Sequence, residues 1–116
     1  MLIVGGPTYA HGVEASMKAF LDRLPDRALD GVAAAAFDTR LDWPKFLSGA
    51  ASKGIAERLQ HKGARMVTEP ASFLVKDKDG PLLDGEEERA EAWGRHLATL
   101  VIPSFENVPF RDDPLA

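Results

Sequence analysis

Gly31-Val32-Ala33-Ala34-Ala35-Ala36-Phe37-Asp38-Thr39-Arg40 is the stretch on which the fold turns. Four consecutive alanines favour helix by propensity alone. The apolar run is only six residues long, from Val32 to Phe37, and lies between a glycine turn and the polar break at Asp38-Thr39. So short a run, apolar on every side, points instead to a strand buried on both faces of a parallel sheet.

Working back toward the start, Leu2-Ile3-Val4 is a second short apolar run, partly β-branched, ending at Gly5-Gly6-Pro7. It reads as a strand. A loop from Pro7 to Gly12 follows. Val13, Met17, Phe20, Leu21 and Leu24 then recur at helical spacing until Pro25 stops them. Beyond the alanine run, a loop from Asp38 to Ser48 contains Trp43-Pro44. Residues 49 to 62 read as a helix with Ala51, Ile55 and Leu59 inward and Gly63 at the C′ position. A third strand runs from Arg65 to Thr68, breaks at Pro70, and resumes from Ser72 to Val75. After the polar loop Lys76–Gly85, Asp84 with Glu87 three residues on has the capping-box spacing. The helix it predicts buries Ala90, Trp93, Leu97 and Leu100. Pro103, Pro109 and Pro114 then break any helix. Residues 1–102 are thus expected to form a domain and 103–116 an extended tail. The β-loop-α pattern occurs three times, which implies an α/β fold with parallel strands and crossover helices.

Composition narrows the function. At 116 residues one domain is expected, with net charge −4 and pI near 5.3. No basic stripe suits nucleic acid, and no polybasic patch suits an anionic membrane. The absence of cysteine removes disulfides, thiol chemistry and cysteine metal sites. No run approaches a membrane span of ~18 residues, and Met1–Pro7 lacks the parts of a signal peptide, so a cytoplasmic location is expected. His11, His61 and His96 have no ligand-like spacing, and metal binding is not expected. Asp77-Lys78-Asp79-Gly80 with Glu86 brushes the calcium-loop pattern, but Val75 falls on the first ligand position and Pro81 lies inside. Ser16 and Ser48 lack a nucleophile-elbow context. Trp93 reads as a core anchor, and Glu86–Glu88 as a solvated helix start.

Two loops remain as candidate sites, because open α/β sheets bind ligands at the carboxyl ends of their strands. These are Pro7-Thr8-Tyr9-Ala10-His11-Gly12 and Asp38-Thr39-Arg40. Each can also be read as an ordinary strand-to-helix turn.

Leu2 through Gly12, with the helix at Met17-Lys18-Ala19-Phe20-Leu21-Asp22, resembles the third strand, loop and helix of the flavodoxin family. Val32–Phe37 with Asp38-Thr39-Arg40 resembles the fourth strand and its loop. Gly80-Pro81-Leu82-Leu83-Asp84-Gly85-Glu86, on through Arg89-Ala90 to Trp93-Gly94, is similar to the start of the last helix in one flavodoxin-like subgroup. The resemblance covers most of residues 2 to 100 and implies a three-layer flavodoxin-like sheet truncated to (βα)3. The family begins with a strand, a Ser/Thr-rich phosphate-binding loop and a second strand, which have no counterpart here. The chain therefore reads as the carboxy-terminal half of the domain, either shortened or naturally a half-domain.

The resemblance implies FMN as cofactor. The loop Pro7–Gly12 would cover one face of the flavin ring with Tyr9 or His11 stacking, and Asp38, Thr39 and Arg40 would form the second ring-contacting loop. An acidic group there would lower the reduction potential. Electron transfer to an unidentified redox partner is the function implied, with an FMN-dependent quinone or nitro-group reductase and a flavin-free interaction module as alternatives. The edge of Leu2–Val4 left open by a missing first strand is expected to be covered by a second subunit or by the apolar tail.

Overall fold

The alanine run is a strand. In the computed structural model, which describes residues 1–9, 12–42 and 50–101, β3 covers Ala33–Leu41 and is the centre of the sheet. Before it come β1 (Leu2–Tyr9), β2 (Gly12–Val13) and α1 (Ala15–Arg23); after it come α2 (Ala51–His61), β4 (Arg65–Met66), β5 (Ala71–Val75) and α3 (Glu86–Val101). Tertiary context overrides helix propensity because both faces of the run are covered: Ala34, Ala35 and Ala36 are fully buried.

β1 and β3 are parallel, from Leu2 opposite Ala34 to Pro7 opposite Thr39. β4 and β5 both lie parallel on the far side of β3 and are two pieces of one strand position, separated at the expected Pro70 break. Below the sheet, α1 and α2 close a core of Leu21, Ala34, Ala36, Ile55 and Leu59, with Leu2 and Val4 packed against it. Above it, α3 brings Trp93 into edge-to-face contact with Phe37 and Phe73, their ring centroids 5.8 Å away in each case. The result is three layers. The Phe37 ring lies over Gly5, leaving no room for a Cβ there. Gly63, at φ +105° against Asp30, ends α2 in the expected C′ position.

Several boundaries differ from expectation. β1 does not stop at Val4: Pro7, Thr8 and Tyr9 belong to it, and Gly12 opens β2, which pairs antiparallel with its tip. Among the described residues nothing pairs with the outer side of β1 along Leu2–Pro7, so Pro7 leaves no described acceptor without a donor there. Asp38, Thr39 and Arg40 likewise continue β3, held by their pairing with β5. Asp84 does not cap α3. Gly85 does, at φ +87°, its carbonyl accepting from the Arg89 N–H. Phe20 and Leu100, expected inward, are 59% and 38% exposed. Ala10, His11, the Trp43-Pro44 segment and residues 102–116 lie outside the described residues.

The two edges of the sheet are finished differently. On β5, the Glu86 carboxylate accepts the Leu74 N–H at 2.7 Å, Arg89 donates to the Ser72 carbonyl, and Leu83 returns to bond the Leu74 carbonyl. Charged side chains thus occupy the positions a further strand would take. On β1, only Thr8 and Tyr9 have a neighbour on the outer side, from β2, among the described residues.

Gly5→Ala is expected to destabilise the fold by about 1–3 kcal/mol in urea unfolding, because the methyl displaces the Phe37 ring. Gly94→Ala, in open space within α3, should instead stabilise by about 0.4–1 kcal/mol. The Arg89 guanidinium, with the Leu74 N–H, holds the Glu86 carboxyl below its ordinary range against the cost of partial burial. A folded value below the unfolded one gives stability that is complete above the ordinary carboxylate range and lost as pH falls through the folded value. Glu86→Gln should flatten that acid limb of a stability–pH profile.

Candidate functional site

Strand register decides which residues share the carboxyl rim of the sheet. Gly6 lies opposite Asp38, and Pro7 opposite Thr39, so the ends of β1 and β3 sit side by side. β2 folds back on the tip of β1, with Thr8 opposite Val13 and Tyr9 opposite Gly12. Both α1 and α2 begin at this rim.

The start of α2 has no cap of its own. Ala50 occupies the N-cap position and makes no side-chain bond to the helix. The orphan donors of the first turn are met from the strands instead: the Ala51 N–H donates to Thr8 Oγ1 at 3.0 Å, and the Ser52 N–H donates to Asp38 Oδ2 at 2.7 Å. Asp38 is fully buried, and its Oδ1 has no partner among the described residues. The positive end of the α2 dipole offsets part of the cost of burying that carboxylate.

α1 is capped by Glu14, whose carboxylate accepts from the N–H groups of Ser16 and Met17 and from the Ser16 hydroxyl. The Ser16 hydroxyl is the main reason that this carboxyl titrates below its ordinary range. α3 carries Glu86, Glu87 and Glu88 in its first turn. Among the described residues, every helix N-terminus therefore faces an acid. None offers a phosphate group the free N–H groups and uncompensated dipole on which such groups are usually held.

Between α1, β1 and α2 lies a cavity of about 330 Å³, walled by Gly6, Pro7, Val13, Met17, Phe20 and Ile55. Its wall is chiefly apolar, with Glu14 and Ser16 at its polar side. Among the described residues no group of three His, Cys, Asp or Glu is placed to hold a metal ion, and no helix is long and apolar enough to cross a membrane.

Of the candidate residues, Pro7, Thr8 and Tyr9 lie in β1, Gly12 in β2, and Asp38, Thr39 and Arg40 in β3. The structure brings these together on one rim. Their environments differ. Tyr9 is 67% exposed at the strand tip. Thr8 and Asp38 spend their oxygens on α2. Thr39 and Arg40 are half-buried, and Arg40 donates to the Leu41 carbonyl. Ala10 and His11 lie outside the described residues. Glu14, Ser16, Ala51 and Ser52 were not anticipated. The one available signal was negative: a helix starting at Ala50-Ala51 has no capping residue of its own.

No family model and no curated protein matches the sequence. Among solved structures, oxidised flavodoxin 1 from Bacillus cereus is similar over 84% of this chain, at 25% identity and a TM-score of 0.65. The fold is flavodoxin-like. The chain spans 63% of the length of the Bacillus cereus protein. In the flavodoxin-like sheet described here, the rim is the junction of two strand ends and two helix starts, tied together by Thr8 and Asp38.

Asp38→Ala is expected to lower stability by about 1–2 kcal/mol, the scale of a lost helix cap. Asp38→Asn, which keeps an acceptor for the Ser52 N–H, should lose less. Chemical denaturation of the two variants beside the unaltered chain measures the difference.

Proposed function

We propose that residues 1–116 form the ring-binding part of a flavodoxin-like electron-transfer protein that uses FMN. The observation that supports this most is the pairing of Pro7 with Thr39, because it makes the two candidate segments neighbours on one carboxyl rim. Tyr9, exposed at the tip, is the stacking side chain for a planar ring, and Pro7, Thr8, Ala10, His11 and Gly12 complete that segment. Thr39 and Arg40 form the second wall. Asp38 is a positioning residue that holds the start of α2 against the sheet. When bound, FMN supplies the electron-carrying chemistry; the chain binds the ring, orients it and excludes water from one side. The redox partner is a second protein, and the cytoplasm is the compartment this cysteine-free sequence suits.

The described residues fit the ring better than the phosphate, since each helix N-terminus already faces an acid. The same observation favours a second reading, in which the fold serves as a flavin-free interaction module.

Fluorescence titration with FMN and with riboflavin separates the two. The flavin reading expects both to be quenched, with affinities within about threefold, less than about 0.7 kcal/mol apart. Tyr9→Ala should weaken both about fivefold, the ~1 kcal/mol of a stacked aromatic pair beyond its burial. A colourless protein that quenches neither supports the interaction reading and contradicts the flavin one.

A further inference from the structure

α2 carries a glycine in its interior, Gly54, where alanine is the better helix former. Its φ is not positive, so backbone geometry does not require glycine there. A neighbour does. A Cβ built at Gly54 would lie 2.6 Å from Val13 Cγ2, whereas one at Gly94 in α3 would meet nothing. Resting on the reading of Tyr9 as the ring-stacking side chain, we infer that Gly54 and Val13 are positioning residues, which seat the β1–β2 pair on α2 and so fix where Tyr9 stands.

The register carries this. Thr8 and Val13 are opposite one another in the β1–β2 ladder, so their side chains leave the same face of that pair. Both reach α2: Thr8 Oγ1 accepts the Ala51 N–H at 3.0 Å, and Val13 lies against Gly54. Ala51 and Gly54, three residues apart, share one face of the helix. A single cross-strand pair thus meets a single helix face at two consecutive points, one a hydrogen bond and the other a close apolar contact.

The next pair outward is Tyr9 opposite Gly12. Alternation along a strand turns that pair to the other face, away from α2. The 67% exposure of Tyr9 and the open space around a Gly12 Cβ agree with it. The place of the Tyr9 ring is therefore set through the backbone by the pair behind it. A methyl on Gly54 would push Val13 off the helix, and Gly12 and Tyr9 with it, because a β-branched side chain has little rotamer freedom to yield.

Tyr9 is the single tyrosine of the chain, so its ring signals report its position by NMR in the absence of flavin. Gly54→Ala is expected to shift the Tyr9 ring and Gly12 amide signals. It should also weaken riboflavin quenching by up to about fivefold, the full loss of a stacked ring. Val13→Ala alone opens a gap at the same contact and should move both readouts too. The double variant refits the contact, with the added methyl on α2 filling the space given up on β2, and should restore both, a coupling that independent losses of stability do not produce. Gly94→Ala, the same substitution in open space, should move neither. Tyr9 signals that stay unmoved in Gly54→Ala, or that the double variant fails to restore, overturn the proposal; so does riboflavin binding that ignores a displaced Tyr9. A chain that quenches no riboflavin contradicts the flavin reading, and the NMR comparison then still decides whether α2 seats the strand pair.

Discussion

The start of α2 is held by two side chains from the sheet, and the rest of the rim depends on that. A helix with alanine at its N-cap has first-turn N–H groups that water or a distant residue must satisfy. Here Thr8, 43 positions earlier, and Asp38, 14 positions earlier, satisfy them. The two bonds fix α2 to β1 and β3 at once. They thereby place the start of α2 beside the ends of both strands.

The same bonds define the chemistry of the rim. Hydroxyl and carboxylate groups near a strand end suggest polar contacts to a ligand, yet those of Thr8 and Asp38 are turned inward to the protein. What remains outward is an aromatic ring at Tyr9 and the apolar cavity beside Met17 and Phe20. Acids at each described helix start make this surface better suited to a neutral planar group than to an anion. The acids do structural work elsewhere too: Glu86 reaches out of its helix to complete the β5 edge, while β1 keeps an uncharged edge.

Much of the layering was legible in the sequence. The length of the alanine run and its polar borders outweighed alanine's helix propensity, and Gly63 and Pro70 marked the turn and the break they form. Less legible was anything set by distant pairing. Pro7-Thr8-Tyr9 and Asp38-Thr39-Arg40 have loop-like composition, and only the register between β1, β3 and β5 extends them as strand. Phe20 and Leu100 obey the helical period yet stay 59% and 38% exposed, because the period gives the face of a helix and not the extent of what packs on it. The Asp38 cap pairs residues on different elements, so no local spacing could reveal it.

Amide hydrogen exchange at Ala51 and Ser52, read by NMR, tests the central claim most directly. First-turn amides of a helix have no intrahelical acceptor and ordinarily exchange freely. If Thr8 and Asp38 hold α2 to the sheet, both amides exchange as slowly as those in the middle of the helix. Exchange at the rate of an open first turn would show that α2 is not tied to the strands and that the rim described here does not exist.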